Sequence, residues 1–227
     1  MNKFYRIFLL LILLIFLSTF NPFDLNLLSP SRTSFFNIKI IEVENNTLIS
    51  KEKIIKNLSN ILDKNIFLIQ KNEVKDPLKK INFLKGVEVK KIYPNKIIIK
   101  VSETRPLAIL LKNKKKFIID SSSNLIPVKE KDNFKDLPQV FGEGAEINFL
   151  YFTNLLKKNN FPLKQVKIYY YFQIGRWDIQ FINDKIIKLP YNNIDEAILK
   201  SIKLLEDKNF KIYNIIDLRV DGKIIVE

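Results

Sequence analysis

The chain has 227 residues, 47% of them apolar, which is enough for one large or two small cores. It contains no cysteine, which excludes disulfides and thiolate metal sites. It also contains no histidine, which removes the commonest general base, the usual zinc ligand and the Ser/Cys–His nucleophile pairs, so no metal and no cofactor is expected. The formal net charge of +14 fits nucleic-acid or anionic-membrane binding, or else an AT-rich coding bias that favours Lys, Ile, Asn and Phe. The lysines are scattered along predicted solvent faces apart from Lys112–Lys116, so no nucleic-acid partner is expected. Only five of the 38 basic residues are arginine (Arg6, Arg32, Arg105, Arg176, Arg219), and each is expected to have a geometric reason such as bidentate pairing.

Lys3 and Arg6 flank an apolar run from Ile7 to Leu17, extended by Ser18, Thr19 and Phe20 and stopped by Asn21-Pro22. A helix from Phe4 to Phe20 spans about 25 Å at roughly 1.5 Å per residue. That is slightly short of the ~30 Å hydrocarbon core but workable with interfacial flanks. A cleaved signal peptide is the competing reading, but the exit lacks a small-x-small site, which favours an uncleaved signal anchor. Basic residues ahead of the span predict a cytoplasmic N-terminus and export of everything after it. Residues 1–22 therefore read as tail and transmembrane anchor, and 23–34 as a linker rich in Ser, Pro and Asn.

Phe36 to Val43 alternates as a strand, and Glu44-Asn45-Asn46-Thr47 reads as a turn. Ser50 is placed to cap a helix whose apolar set Ile54, Ile55, Leu58, Ile61 and Leu62 shares one face. A second helix is expected between about Asn72 and Leu84, with Asp76-Pro77 as an alternative start. Gly86 to Val101 reads as a hairpin: Val87 and Val89, then Ile97, Ile99 and Val101, recur with period 2 around the turn signal Pro94-Asn95. Arg105-Pro106 breaks that strand pattern. Residues 35–104 thus form a β-α-α-β-β module: one three-stranded sheet with two helices on one face.

Residues 105–227 read as a larger mixed or antiparallel β-sheet domain with flanking helices. Leu107–Leu111 and Phe117–Asp120 are strands around a Lys112–Lys116 turn, and Leu137 to Gly142 is a loop with an apolar anchor. Glu146 to Asn159 is a helix. Val166–Phe172, Trp177–Ile182 and Lys185–Leu189 are strands, the last two joined by Asn183-Asp184. Asn192 or Asn193 caps a helix to about Lys208 with Ile194, Ile198, Ile202 and Leu205 on one face. Ile212–Val220 and Lys223–Glu227 close the chain as strands turned by Asp221-Gly222. The overall class is α+β.

In this order the elements resemble the bacterial cell-division family FtsQ, called DivIB in some lineages. The matching residues are Val87 through Ala108, similar to the family's strand–Pro–strand–Glu-Arg-Pro run; Phe117-Ile118-Ile119-Asp120; Leu137-Pro138 with Gly142; Gly175 to Ile179 leading to Leu189-Pro190; and Asp217-Leu218-Arg219. Asn45-Asn46 stands where the family has Gly, the Glu-Arg-Pro element is one residue longer as Glu103-Thr104-Arg105-Pro106, and no tail follows Glu227. The resemblance implies a POTRA domain followed by a β domain. It implies a non-enzymatic divisome scaffold, single-pass in the inner membrane at the septum, whose periplasmic β domain binds FtsB and FtsL. It also implies strand addition by FtsB at the last strands, with other divisome proteins contacting the POTRA domain and membrane span.

The residues agree with that implication on their own terms. Lys223-Ile224-Ile225-Val226-Glu227 reads as a final strand with a free edge, and such an edge is either blunted or used for β-augmentation. Arg219, Val220 and Asp221 fall at the implied contact, with Val220 where some relatives carry an aromatic residue. Arg176 is placed to pair with an acidic partner residue, while Trp177 reads as core. Two alternatives stand beside the scaffold. One is another POTRA-bearing periplasmic binding or translocation protein. The other is an enzyme acting on cell-wall polymer, for which Asp120 and Asp217 are the available carboxylates, although each sits at a strand end where a turn or surface role suffices.

Overall fold

The computed structural model describes residues 3–19, 34–128 and 134–227. The anticipated exit of the apolar run at Phe20–Pro22, and the linker except for Ser34, lie outside them. The apolar run forms helix α1, Lys3–Thr19, of seventeen residues. Among the described residues no helix is long and apolar enough to cross a membrane. The chain divides into two compact units, Met1–Lys80 with Val87–Val101, and Ile81–Gly86 with Ser102–Glu227.

The first unit contains β1 (Ile40–Glu44), α2 (Lys51–Asn57), α3 (Lys71–Leu78) and, apart from residues 84–86 and 102–103, β2 (Leu84–Ile92) and β3 (Lys96–Glu103). The sheet order is β1-β3-β2, with β1 parallel to β3. β2 and β3 are joined by three residues, Tyr93 to Asn95, too few for anything but an antiparallel pair. The Tyr93–Pro94 peptide is cis. Ile97, Ile99 and Val101 alternate into the core, with Val43 opposite Ile99. Ile54 of α2 and Val74 and Leu78 of α3 are buried with them.

Three local differences from the sequence reading have physical causes. The first strand starts at Ile40, not Phe36, because Ile38 donates to the Lys64 carbonyl at 2.9 Å and accepts from Asp63 N–H at 3.0 Å, so residues 36–38 pair elsewhere. The first helix ends at Asn57 and continues as a 3₁₀ turn, Ser59–Ile61. That tighter turn stacks Leu58 and Ile61, three apart, into the core and leaves Leu62 exposed. Pro77 lies in the last turn of α3, where its missing N–H costs one bond just before the helix stops. The start of α3 is instead closed by the Glu73 carboxylate, which accepts the Gln70 N–H at 3.1 Å.

The second unit is a nine-stranded sheet. Its strands are β4 (Pro106–Lys112), β5 (Lys115–Asp120), β6 (Leu125–Pro127), β7 (Gln139–Phe141), β8 (Val166–Phe172), β9 (Arg176–Phe181), β10 (Ile186–Lys188), β11 (Ile215–Asp217) and β12 (Ile225–Val226). They lie in the order β12-β11-β10-β9-β8-β7-β4-β5-β6. Helix α4 (Ala145–Lys158) connects the parallel neighbours β7 and β8, and α5 (Ile194–Glu206) connects the parallel neighbours β10 and β11. Both crossovers step the same way across strands of the same direction, so right-handed connection puts both helices on one face.

One row of cross-strand partners carries that face: Leu110, Val140, Tyr169, Ile179, Ile187, Ile216 and Val226, in register across seven strands. All but Val226 are buried, and Val226 packs against the same core. Phe149 and Phe152 of α4 close over Tyr169 and Trp177, with Phe152 stacked on Trp177 at 4.6 Å. Trp177 is core, as read from the sequence.

Residues 139–141 form a strand where a loop was expected. Its three residues are too few to show alternation, and only pairing with β4 and β8 defines them. Gly142 ends that strand at φ +118°, and a Cβ there would lie 2.1 Å from the Tyr171 carbonyl oxygen. Asn193 precedes α5 in the left-handed region at φ 54° and makes no side-chain cap bond, so the expected asparagine cap is a backbone kink. The buried stripe of α5 is Ala197, Ile198, Ser201 and Leu204, with Ile194, Ile202 and Leu205 at its margins.

Candidate functional site

β12 ends the nine-stranded sheet, with β11 on one side and no strand on the other among the described residues. The hairpin reverses through Asp221-Gly222, where Gly222 takes φ +70° and Lys223 donates to the Val220 carbonyl at 3.1 Å. The strands are shorter than Ile212–Val220 and Lys223–Glu227, because only residues 215–217 and their partners sit in ladder register. Ile215 and Glu227 exchange both backbone bonds, at 3.0 and 3.1 Å. In an antiparallel pair the bonded positions alternate, so Asp217 and Ile225 form the next bonded pair. The amide and carbonyl of Val226 therefore point away from β11, toward the open edge, and continuing the alternation by one step puts those of Ile224, which precedes β12, on the same side.

At the hairpin turn that leads into β12 lies a groove of about 550 Å³. Asn193, Glu196 and Lys200 at the start of α5 line one wall, and Arg219, Val220 and Lys223 of the hairpin turn line the other. Val220, Ile224 and Ile225 are exposed. The Val226 side chain faces the core, so at that position only the backbone is offered outward.

The sheet face opposite the helices carries a charged row: Tyr170, Asp178, Lys188, Asp217 and Ile225 are in register across five strands. Asp178 and Asp217 are both buried. The Arg219 guanidinium grips Asp217, its Nε 2.8 Å from each carboxylate oxygen, with Nη2 also bonded to Oδ2. Burial pushes the Asp217 carboxyl up, but the bonds and charge of Arg219 outweigh it and hold the group below its ordinary value. The same contact raises Arg219. For Asp178 burial dominates and the carboxyl lies above its ordinary value, although Arg176 and Arg219 both pull it down. Arg176 Nε is 3.5 Å from Asp178 Oδ1, and neither atom has a hydrogen-bond partner. The Arg176 guanidinium also lies over the Phe172 ring, 4.1 Å from its centroid.

Of the eight residues singled out from the sequence, Arg219, Val220, Asp221 and Lys223 line the groove, Ile225 and Val226 form β12, and Ile224 leads into it. Arg176 stands apart, on β9, committed to Asp178 and Phe172. The sequence reading gives Asp217 only a turn or surface role at its strand end and gives Asp178 none, so it misses the hold of both on the arginines. The signal was present: Arg176-x-Asp178 and Asp217-x-Arg219 are i, i+2 pairs, which a strand places on one face. Asp217 has no surface role, being buried in its ion pair. Asp120 is buried too and serves its turn, accepting the N–H groups of Ser122 and Asn124 at 2.9 and 2.8 Å. Among the described residues no cluster of acidic side chains is arranged to hold a metal ion.

Residues 36–104 match the family model described as "POTRA domain, FtsQ-type". The chain is 30% identical over 198 residues to the cell division protein FtsQ of Rickettsia conorii, covering 85% of this chain and 72% of that protein. It is 32% identical over 198 residues to FtsQ of Rickettsia bellii, again 85% and 72%. With the cell division protein DivIB of Clostridium tetani it shares 36% identity over 112 residues, 49% of this chain and 42% of that protein. Among solved structures, the major extracytoplasmic domain of DivIB from Geobacillus stearothermophilus is similar over 43% of this chain and 87% of that one, with a TM-score of 0.32 and 15% identity. With a match to FtsQ proteins across most of both chains, this protein belongs to the FtsQ/DivIB family of bacterial cell division proteins.

Proposed function

We propose that the chain is a non-enzymatic divisome scaffold that captures FtsB, together with FtsL, by adding a partner strand to β12. The observation that carries this reading is the outward backbone of Val226, with that of Ile224 just before it, on the strand that ends its sheet and adjoins a polar groove. Main-chain bonds at those sites supply affinity, and the groove between α5 and Arg219–Lys223 supplies a berth for the segment leading into the added strand. Lys200, Arg219 and Lys223 make that berth suited to an acidic segment, with Glu196 and Asp221 the opposing charges.

In this reading residues 1–22 are the cytoplasmic tail and inner-membrane anchor, 23–34 the linker, 35–104 the POTRA domain and 105–227 the partner-binding β domain. The anchor is short: seventeen helical residues give about 25 Å at roughly 1.5 Å per residue. Phe4 and Tyr5 at its start supply interfacial aromatic residues that fit a single span held by its flanks.

The test uses the full-length chain in detergent and the exported part of FtsB. Ile224→Pro removes one outward N–H while leaving the bonded positions 225 and 227 in place. Binding is expected to weaken at least tenfold with little change in melting temperature. Unchanged binding would sink the strand-addition reading.

A further inference from the structure

Three segments of the first unit converge on one exposed aromatic surface. Phe35 and Phe36 meet edge to face at 5.2 Å, Phe36 contacts Phe67 at 5.2 Å, and Phe67 stacks on Tyr93 at 4.8 Å. These rings are not core: Phe35 is 60% exposed, Phe67 55% and Tyr93 54%, and the adjacent Leu68 is 78% exposed. An exposed run of large apolar groups is unfavourable in water unless something covers it.

The surface is held in shape from beneath. Ile66 donates to the Phe36 carbonyl at 2.9 Å, and Asn37 bridges Asn65, so the 34–38 and 63–68 segments are tied together. Asn65 Oδ1 accepts the Phe67 N–H at 2.9 Å, which fixes the loop tip. Lys91 Nζ donates to the carbonyls of Phe67 and Ile69, tying a cation to the backbone of the loop that carries Phe67. Lys39 and Lys64 nearby are paired with Asp63 and Glu73. Between residues 34 and 103 there are fourteen lysines against eight carboxylates, so the unit as a whole is cationic.

The chain enters the unit at this surface. Phe35 follows Thr19, the last residue of α1, by only fifteen intervening residues. Such a segment reaches at most about 3.3–3.6 Å per residue when extended, near 50 Å. Whatever surface holds α1 is thus within reach of the rings.

We infer that Phe35, Phe36, Phe67, Leu68 and Tyr93 form a membrane-interface surface that rests on the outer headgroup layer of the bilayer in which α1 is embedded. This rests on the proposed reading of α1 as an anchor. Phenylalanine and tyrosine at the edge of a cationic unit suit the headgroup level, where rings meet acyl chains and lysines meet anionic phosphates. A short anchor strengthens the need for it, since interfacial groups offset the missing length.

The chain has no native cysteine, so single-cysteine variants carry one label each. Leu68→Cys, Leu10→Cys and Ile147→Cys are labelled with bimane in the full-length protein, reconstituted in phosphatidylethanolamine/phosphatidylglycerol vesicles. Lipid-borne nitroxides then quench whatever touches the bilayer. Strong quenching at positions 10 and 68, little at exposed position 147, and a several-fold loss at 68 on adding Phe67→Ser and Tyr93→Ser are the expected results. Quenching at 10 but not at 68 overturns the inference and leaves the anchor standing. No quenching at 10 means that the anchor reading has failed, and the surface fails with it. Equal quenching at 68 and 147 reports general adsorption of a basic protein, and a dry but unquenched label at 68 reports cover by another part of the chain or a second copy. Either result overturns the inference.

Discussion

Asp217 and Arg219, two residues apart, are locked to each other: Nε of Arg219 sits 2.8 Å from both carboxylate oxygens, Nη2 bonds Oδ2, and the Arg219 backbone N–H adds a fourth contact at 3.0 Å. The buried aspartate thereby holds the arginine against the groove wall. Asp217→Asn is expected to lower stability by about 1–2 kcal/mol, the range for a partly screened charged hydrogen bond. Partner affinity is expected to fall with it, because Arg219 loses its fixed orientation. Denaturant unfolding and a binding titration on the same variant check both. The Asp217 carboxyl is held below its ordinary value of 3.8, so its contribution is present above about pH 4 and is lost as pH falls through the folded-state value.

Asp178 carries the opposite sign. Burial holds its carboxyl above the ordinary 3.8, so folding favours the protonated form and the charged form is a liability at neutral pH. The stability of the protonated form is fully present below the unfolded value and is lost as pH rises through the folded one. Asp178→Asn is expected to raise the melting temperature at pH 7.5, with the gain vanishing below about pH 4. A fall in melting temperature at pH 7.5 would show that pairing with Arg176 outweighs burial.

The alternation of bonds along β12 separates two proline variants. Ile225 directs its N–H toward Asp217, so Ile225→Pro breaks the hairpin itself, and both stability and partner binding are expected to drop. Ile224→Pro strikes only the open edge and is expected to cost binding alone. Amide exchange at Glu227 distinguishes them: slow in the second variant, fast in the first.

Gly142 and Gly175 both have positive φ, but their surroundings differ. A Cβ on Gly142 meets the Tyr171 backbone oxygen at 2.1 Å, which cannot move without breaking β8 from its neighbour. A Cβ on Gly175 meets the ring of exposed Tyr191 at 2.4 Å, and that ring can swing away. Gly142→Ala is expected to destabilise by about 3 kcal/mol or more and Gly175→Ala by about 1–2 kcal/mol. Thermal unfolding of the two variants side by side checks the order.

Much of the sheet was legible in the sequence because its strands alternate where only one face is covered. Val166–Phe172 was placed to the residue, and the Asp221-Gly222 reversal followed from turn chemistry. Residues 139–141 were not legible, since three residues give no period and their pairing depends on strands far away in sequence. The same limit applies at the site. Whether Asp178 or Asp217 faces water depends on what covers the sheet, which no local window records. The break between Phe36 and Ile40 has a similar cause: Ile38 exchanges bonds with residues 63 and 64, a contact invisible to periodicity.

Among the described residues the last strand's ladder is three pairs long, 215–227, 216–226 and 217–225, with one further bond from the Asn214 N–H to the Glu227 carbonyl at 2.8 Å. A ladder so short opens by itself far more readily than the core unfolds. Any partner that docks on its outer side must first find it closed, so the intrinsic affinity is discounted by the fraction of time it is open. The partner in turn acts as a clasp: its arrival is expected to slow exchange at the inward amides of Ile225 and Glu227, which it never touches, as well as at the outward ones it bonds.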